Sequence, residues 1–181
     1  MGNDVEITKY IQDVAINDSE VALERLYNHY YYNLLHFSQI YVIDENDAEE
    51  IISDTFLDIW ENRKKLVKLK NFNAYIYTLV RNKSISAYRS HHNNVNLESI
   101  PIDLLAQSHV TPEDILISKE KVEKINRAIN SLPNKCKLAF KLVKENQLKY
   151  KEVSEILNIS IKTLEAHLTT AMKKIRENIK D

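Results

Sequence analysis

Glycine occurs once in these 181 residues, at Gly2, and proline three times, at Pro101, Pro112 and Pro133. Hairpin turns and the strand-to-helix turns of α/β folds draw on residues that tolerate positive φ, glycine above all. A chain almost without glycine cannot supply them in number. The expected fold is therefore all-α, and glycine-rich phosphate cradles are excluded because nothing is present to build them. Cys136 stands alone, so one chain can form neither a disulfide nor a cysteine metal site. No apolar run approaches the roughly 18 residues of a membrane span, and the N-terminus lacks a secretory pattern, which predicts a cytoplasmic protein.

Apolar periodicity places the helices. Residues 4–16 read as a short amphipathic helix with Val5, Ile7, Ile11, Val14 and Ala15 on its packing face. Ser19 is a candidate cap for a second helix reaching about Val42, with Leu23, Leu26, Tyr27, Tyr30, Leu34, Leu35 and Phe37 inward. Asp44 to Asn46 breaks the pattern. A third helix then turns Ala48, Ile51, Ile52, Thr55, Phe56, Ile59 and Trp60 inward, and Asp47, Glu49, Glu50, Asp54 and Asp58 outward. A fourth runs from about Asn71 to Arg89. Periodicity disappears over residues 91–111, which read as a flexible interdomain linker. Thr111-Pro112-Glu113-Asp114 is a helix start, with a cap, a first-turn proline and acids against the dipole. That helix ends at Leu132-Pro133, and another runs from about Asn134 to Glu145. The expectation is two small helical domains, residues 1–90 and 112–181. Twenty-one linker residues, fully extended, reach at most about 70 Å, twice a DNA turn of about 35 Å.

The last segment, from Lys149 to Leu168, has the pattern of a helix-turn-helix. Val153, Ile156 and Leu157 form one apolar stripe. Asn158 suits the left-handed conformation that ends a helix, Ile159 fills the corner, and Ser160 can cap the next helix. The second helix repeats apolar residues at Ile161, Leu164, Leu168, Ala171, Met172 and Ile175. Its other face carries Lys162, Thr163, Glu165, Ala166, Thr169 and Lys173, short or charged groups suited to a major groove.

Net charge is −1, but the charge is segregated. Residues 1–62 hold fourteen acids against Lys9 and Arg25, residues 63–90 eight cations and no acid, residues 91–118 four acids, and residues 119–181 fifteen cations against eight acids. Such blocks predict one surface for a basic partner and two for a polyanion. Within the basic block, the aromatic and apolar residues Phe72, Tyr75, Ile76, Leu79, Val80 and Tyr88 alternate with Arg81, Asn82, Lys83 and Arg89, as in proteins that stack unpaired bases and neutralise a single strand. Phe72, Ile76 and Leu79 are read as core; Asn82, Lys83, Ser86 and the loop beyond Arg89 as available to nucleic acid. Catalytic and metal chemistry find no support. The six histidines form no i, i+4 pair, and Glu49, Glu50 and Asp54 lack a neighbouring nucleophile or cofactor motif. No enzyme, cofactor or metal is expected.

Taken in order, these segments resemble the sigma-70 family of bacterial RNA polymerase, and specifically its small two-domain members, the extracytoplasmic-function sigma factors. Ala48 to Trp60 resembles the family's second region, Asn71 to Lys83 with Tyr88-Arg89 its promoter-melting helix, and Leu132-Pro133 with the helix-turn-helix its last domain. The likeness covers roughly residues 19–178. It implies an alternative sigma factor directing promoter-specific transcription initiation. The acidic face (Asp47, Glu50, Ser53, Asp54, Asp58) would dock on the clamp helices of the polymerase β′ subunit. Tyr75, Thr78, Arg81, Asn82, Lys83, Ser86 and Arg89 would capture unpaired bases of the −10 element, Asn82 matching a frequent base-contacting asparagine. Ser160, Lys162, Thr163, Glu165, Ala166, Thr169 and Lys173 would read the −35 duplex while the domain sits on the β flap. An anti-sigma partner is expected. Two departures bear on promoter sequence: Thr78 stands where related factors often carry a basic residue, and Asn158 replaces the usual turn glycine.

Two other classes are distinguishable. A helix-turn-helix regulator of the response-regulator type needs a sensor domain with glycine-rich turns and alternating strands, which residues 1–90 lack. A helical adaptor without a DNA role leaves the basic block 63–90 unexplained.

Overall fold

The computed structural model describes residues 2–42, 44–91 and 118–180, and all of its regular elements are helical. The chain divides into two compact units, Met1–Ile100 and Pro101–Asp181. The linker expected at 91–111 and the helix start at Thr111-Pro112 lie outside the described residues, apart from His91, which ends a helix.

The first unit comprises α1 (Gly2–Asn17), α2 (Glu20–Ser38), α3 (Glu45–Glu61), a 3-10 helix (Arg63–Lys68) and α4 (Phe72–His91). The Ser19 side chain caps α2, accepting from the Ala22 N–H at 3.2 Å. Asp44 does the same for α3, accepting from the Asn46 N–H at 2.8 Å. α2 ends at Ser38 rather than near Val42, because the chain turns there: the Tyr41 and Val42 N–H groups both bond back to the Ser38 carbonyl. Helices α2, α3 and α4 pack mutually, burying Leu26, Leu34, Phe37, Ile52, Ile59, Ile76, Tyr77 and Val80. Tyr77, absent from the expected core, is almost fully buried, whereas Leu23, Tyr27 and Leu79 are only half-buried. α1 lies on α2 and on the 3-10 helix, where Asp18 pairs with both Arg63 and Lys64.

The second unit comprises α5 (Ser118–Asn130), α6 (Asn134–Phe140) running on into a π-helical turn (Lys141–Glu145), α7 (Tyr150–Leu157) and α8 (Ile161–Lys180). Its core joins Ala128, Ile129, Leu132 and Cys136 to Ala171 and Ile175 of α8. Leu142, Val153, Ile156 and Leu164 are also buried.

Among the described residues, the positions of positive φ are Asp18, Gln147 and Asn158, none of them glycine. Each follows a helix end. Asp and Asn tolerate the left-handed region better than other residues with a Cβ, so they do here what glycine does elsewhere.

Candidate nucleic-acid interface

The helix-turn-helix is built by short-range bonds. Glu152 is buried and accepts from the Lys149 N–H at 2.7 Å, which fixes the start of α7. At its end Asn158 is left-handed, at φ 54° and ψ 48°. The Ile159 N–H reaches back to the Ser154 carbonyl at 3.0 Å and the Asn158 N–H to the Glu155 carbonyl at 3.2 Å, a Schellman closure. The Ser160 hydroxyl then accepts from the Thr163 N–H at 3.0 Å and opens α8.

Along α8, Leu164, Leu168, Ala171 and Ile175 are buried. At 3.6 residues per turn, Lys162, Ala166, Thr169 and Lys173 form the crest opposite that stripe. Glu165 flanks the crest on one side and Thr163 on the other. All seven expected duplex-reading residues, Ser160 included, are exposed. The Thr169 hydroxyl donates to the Glu165 carbonyl at 2.8 Å, so toward a base it offers an acceptor and a methyl. Lys173 lies 4.0 Å from Glu177. Glu165, Thr169 and Lys173 also line an open groove of about 790 Å³, together with the buried Leu168, the half-buried Met172, the exposed Tyr150, and Lys144, Arg176 and Glu177. Ile161, expected in the apolar stripe, is exposed at the first position of α8, at the edge of the arc that Leu164, Leu168, Ala171 and Ile175 bury.

In the first unit, Arg81, Asn82, Ser86 and Arg89 line one open cleft of about 300 Å³ on α4, with Ile85 as its buried floor. Tyr75, Thr78 and Lys83 are not among its lining residues. Lys83 faces α3 instead, 2.9 Å from Asp58 and 3.8 Å from Asp54. Tyr75 lies toward the same side: burial first, then the Asp58 charge, raises its phenol pKa. The seven expected residues thus divide into four that line the cleft, Tyr75 and Lys83 held near the acidic helix, and a half-buried Thr78 that belongs to neither group.

On α3, Glu50, Ser53 and Asp54 are exposed and Asp47 and Asp58 half-exposed, all outside the buried stripe. The Ser53 hydroxyl bonds back to the Glu49 carbonyl at 2.9 Å. Leu57 is 60% exposed on this same face. Sequence reading passed it over, although its signal was present: it sits three residues after Asp54 and four after Ser53, off the apolar stripe. Ile85 was also missed, although it stands at helical spacing from Arg81, Asn82 and Arg89 on the same helix, and Tyr150 joins the α8 groove from the neighbouring helix α7. Among the described residues, no three His, Cys, Asp or Glu side chains gather as a metal site.

The architecture is that of a two-unit helical protein with a helix-turn-helix in its second unit and a polar cleft on the last helix of its first. The model of sigma-70 region 2 matches residues 26–93 and that of sigma-70 region 4 matches residues 123–175, together about two thirds of the chain. The chain is 23% identical over 144 residues to the ECF RNA polymerase sigma factor SigW of Bacillus subtilis, covering 75% of this chain and 77% of SigW. It is likewise 23% identical over 160 residues to SigM of the same organism, covering 88% and 94%. Among solved structures, the fold matches CnrH in complex with the cytosolic domain of CnrY, at TM-score 0.60 and 15% identity over 96% of this chain and 94% of that one. It also matches the sigma factor RpoE in complex with the anti-sigma factor NepR from Bartonella quintana, at TM-score 0.61 and 18% identity over 87% and 96%. The chain belongs to the sigma-70 family, within its extracytoplasmic-function group, and is an alternative RNA polymerase sigma factor. The region 2 match begins at Leu26, so α1 and the start of α2 stand outside it.

Proposed function

We propose that the two units divide promoter recognition. Residues 1–90 dock on core polymerase and hold the melted −10 element; residues 112–181 read the −35 duplex and rest on the β flap; residues 91–111 connect them. The observation that carries this reading is the cleft on α4. Arg81 and Arg89 bring positive charge, Asn82 and Ser86 bring donors and acceptors, and Ile85 gives an apolar floor. Such a set suits an unpaired nucleotide, whose base needs an apolar contact and edge hydrogen bonds while its phosphate needs a cation. The acidic face of α3 suits the basic surface expected of the β′ clamp helices, with Asp47, Glu50, Asp54 and Asp58 around the exposed Leu57. The crest of α8 offers Lys162, Thr163, Glu165, Ala166, Thr169 and Lys173 to a major groove, with Ser160 at the helix N-terminus near a phosphate.

An anti-sigma protein is the expected negative regulator, supported by the two solved relatives, one captured with the cytosolic domain of CnrY and the other with NepR. The role is regulatory rather than catalytic and belongs in the cytoplasm. Among the described residues no helix is long and apolar enough to cross a membrane. The deciding experiment reconstitutes core polymerase with the chain on a library of host promoter fragments. Promoter-selective transcripts with permanganate-reactive thymines near −10 are expected, both lost with Asn82→Ala. Transcription without selectivity, or reactivity unchanged by that variant, overturns the assignment of the cleft.

A further inference from the structure

Beside the α4 cleft, the turn after α2 buries a polar atom without a partner. Tyr41 is 6% exposed, and its hydroxyl makes no hydrogen bond among the described residues. The same is true of Nε of Arg81, one of the cleft's two cations. The two residues are brought together from both sides. Phe37 stacks edge-on with Tyr41 at 5.7 Å and packs on Tyr77 at 5.1 Å, and Tyr77 lies one helical turn before Arg81. Ser38 and Ser84 share a buried hydrogen bond of 2.9 Å, with Ser84 nearly one turn after Arg81. The Tyr41 N–H bonds to the Ser38 carbonyl at 2.8 Å, which seats the tyrosine in this turn. Burial pushes the phenol pKa up to about 12, while the Arg81 charge and then hydrogen bonding to its side chain act the other way.

A buried hydroxyl left unpaired destabilises the fold, and phenylalanine has the same shape without that cost. Residues that break a folding rule in this way concentrate at functional sites. We infer that Tyr41 is a positioning residue for Arg81: its buried oxygen is the acceptor that locks the guanidinium when Arg81 closes on a single DNA strand in the cleft. In the free protein the two groups lie close enough for Arg81 to act on the phenol by charge and by hydrogen bonding, yet no bond of full geometry joins them. When a phosphate or base edge draws the guanidinium into the cleft, one of its N–H groups donates to the Tyr41 oxygen, and the remaining donors point at the strand. Arg suits this because its planar fork holds one direction toward a fixed acceptor and another toward the ligand. The inference rests on the proposed role of the cleft and adds a residue that lies outside the cleft's lining.

The test uses the full-length chain and a short fluorescent single strand selected with the wild-type protein. Tyr41→Phe should lower affinity about three- to tenfold, the worth of one hydrogen bond. Its melting temperature should be unchanged or higher, since an unsatisfied buried oxygen is removed. In an Arg81→Gln background the same Tyr41→Phe change should have no further effect on binding. Equal affinity for Tyr41→Phe, or an equal loss in both backgrounds, overturns the proposal. So does a lowered melting temperature with a parallel loss of binding, which marks a purely structural role. If Asn82→Ala leaves strand affinity untouched, it is the reading of the cleft itself that fails, and the role of Tyr41 falls with it.

Discussion

Lys83 of α4 lies 2.9 Å from Asp58 of α3, so a cation expected to meet DNA is shared with the face expected to meet polymerase. The pair is partly exposed, and exposed pairs of this kind contribute little to stability. On the proposed docking the pair has a functional consequence: a basic partner seated on Asp54 and Asp58 would compete for those carboxylates and leave Lys83 to a phosphate. Asp54→Asn combined with Asp58→Asn should raise the salt slope of single-strand binding by the free chain by up to about one, the signature of one added phosphate contact. Salt titration of the variant, repeated with Lys83→Gln, checks it. A slope increase that survives Lys83→Gln would assign the effect to general acid removal.

Asp47 and Glu50 take no part in that pair and test polymerase docking apart from Lys83. Reversing both to lysine sets like charge against a basic partner surface, at a cost of several kcal/mol. Competition with another sigma factor for core polymerase should show the loss, with helicity and melting temperature retained. Undiminished competition removes the acidic face from the docking surface. The exposed Leu57 among these acids should matter as well, since truncating a well-packed apolar anchor commonly costs about 2 kcal/mol.

On α8, Glu165→Ala should relax preference at one base pair by about 1–3 kcal/mol, because a carboxylate gains from DNA chiefly by accepting from a cytosine amino group. Lys173→Ala should weaken all duplex sites alike and reduce the salt slope by about one. Glu177 lies 4.0 Å from the Lys173 ammonium and will temper that change. Binding-site selection with the full chain separates the two outcomes, and an unaltered base preference for Glu165→Ala excludes that residue from readout.

Asn158 is left-handed at the corner of the helix-turn-helix, where a Cβ without a compensating side chain costs about 1 kcal/mol or more. Asn158→Ala should therefore destabilise the second unit by about that amount, while Asn158→Gly should be neutral or slightly stabilising. Thermal unfolding measures both. Equal melting temperatures for the alanine and glycine variants would contradict the strain argument.

Asp18 clips α1 to the 3-10 helix, and hydrogen bonds from Lys64 and then Arg63 hold its carboxyl below the usual 3.8. A carboxyl pKa depressed in the folded state contributes stability that is present above the unfolded pKa and lost as pH falls through the folded one. Asp18→Asn keeps a residue suited to the left-handed backbone but removes the charge. Amide exchange in α1 should be faster in this variant at neutral pH and indistinguishable from wild type well below pH 3.8. A difference that persists in acid would point to a cause other than the ion pair.

The helices, their caps and the corner of the helix-turn-helix were legible in the sequence because each depends on residues a few positions apart. Scarce glycine excluded sheets, apolar spacing placed the packing stripes, Ser19 and Ser160 marked helix starts, and Asn158 marked a helix end. The α8 face followed from one periodicity in the same way. What tertiary structure decided lies between elements. Along α4 Arg81, Lys83 and Arg89 read as one nucleic-acid face, yet packing assigns Arg81 and Arg89 to the cleft, Lys83 to the carboxylates of α3, and Tyr77 to the core. The turn that seats Tyr41 near Arg81 is tied down by the bond from Ser38 to Ser84, 46 residues away. Local periodicity determines which face of a helix is apolar; only the neighbouring helix determines which polar residue on the remaining faces finds a partner and which stays open to solvent.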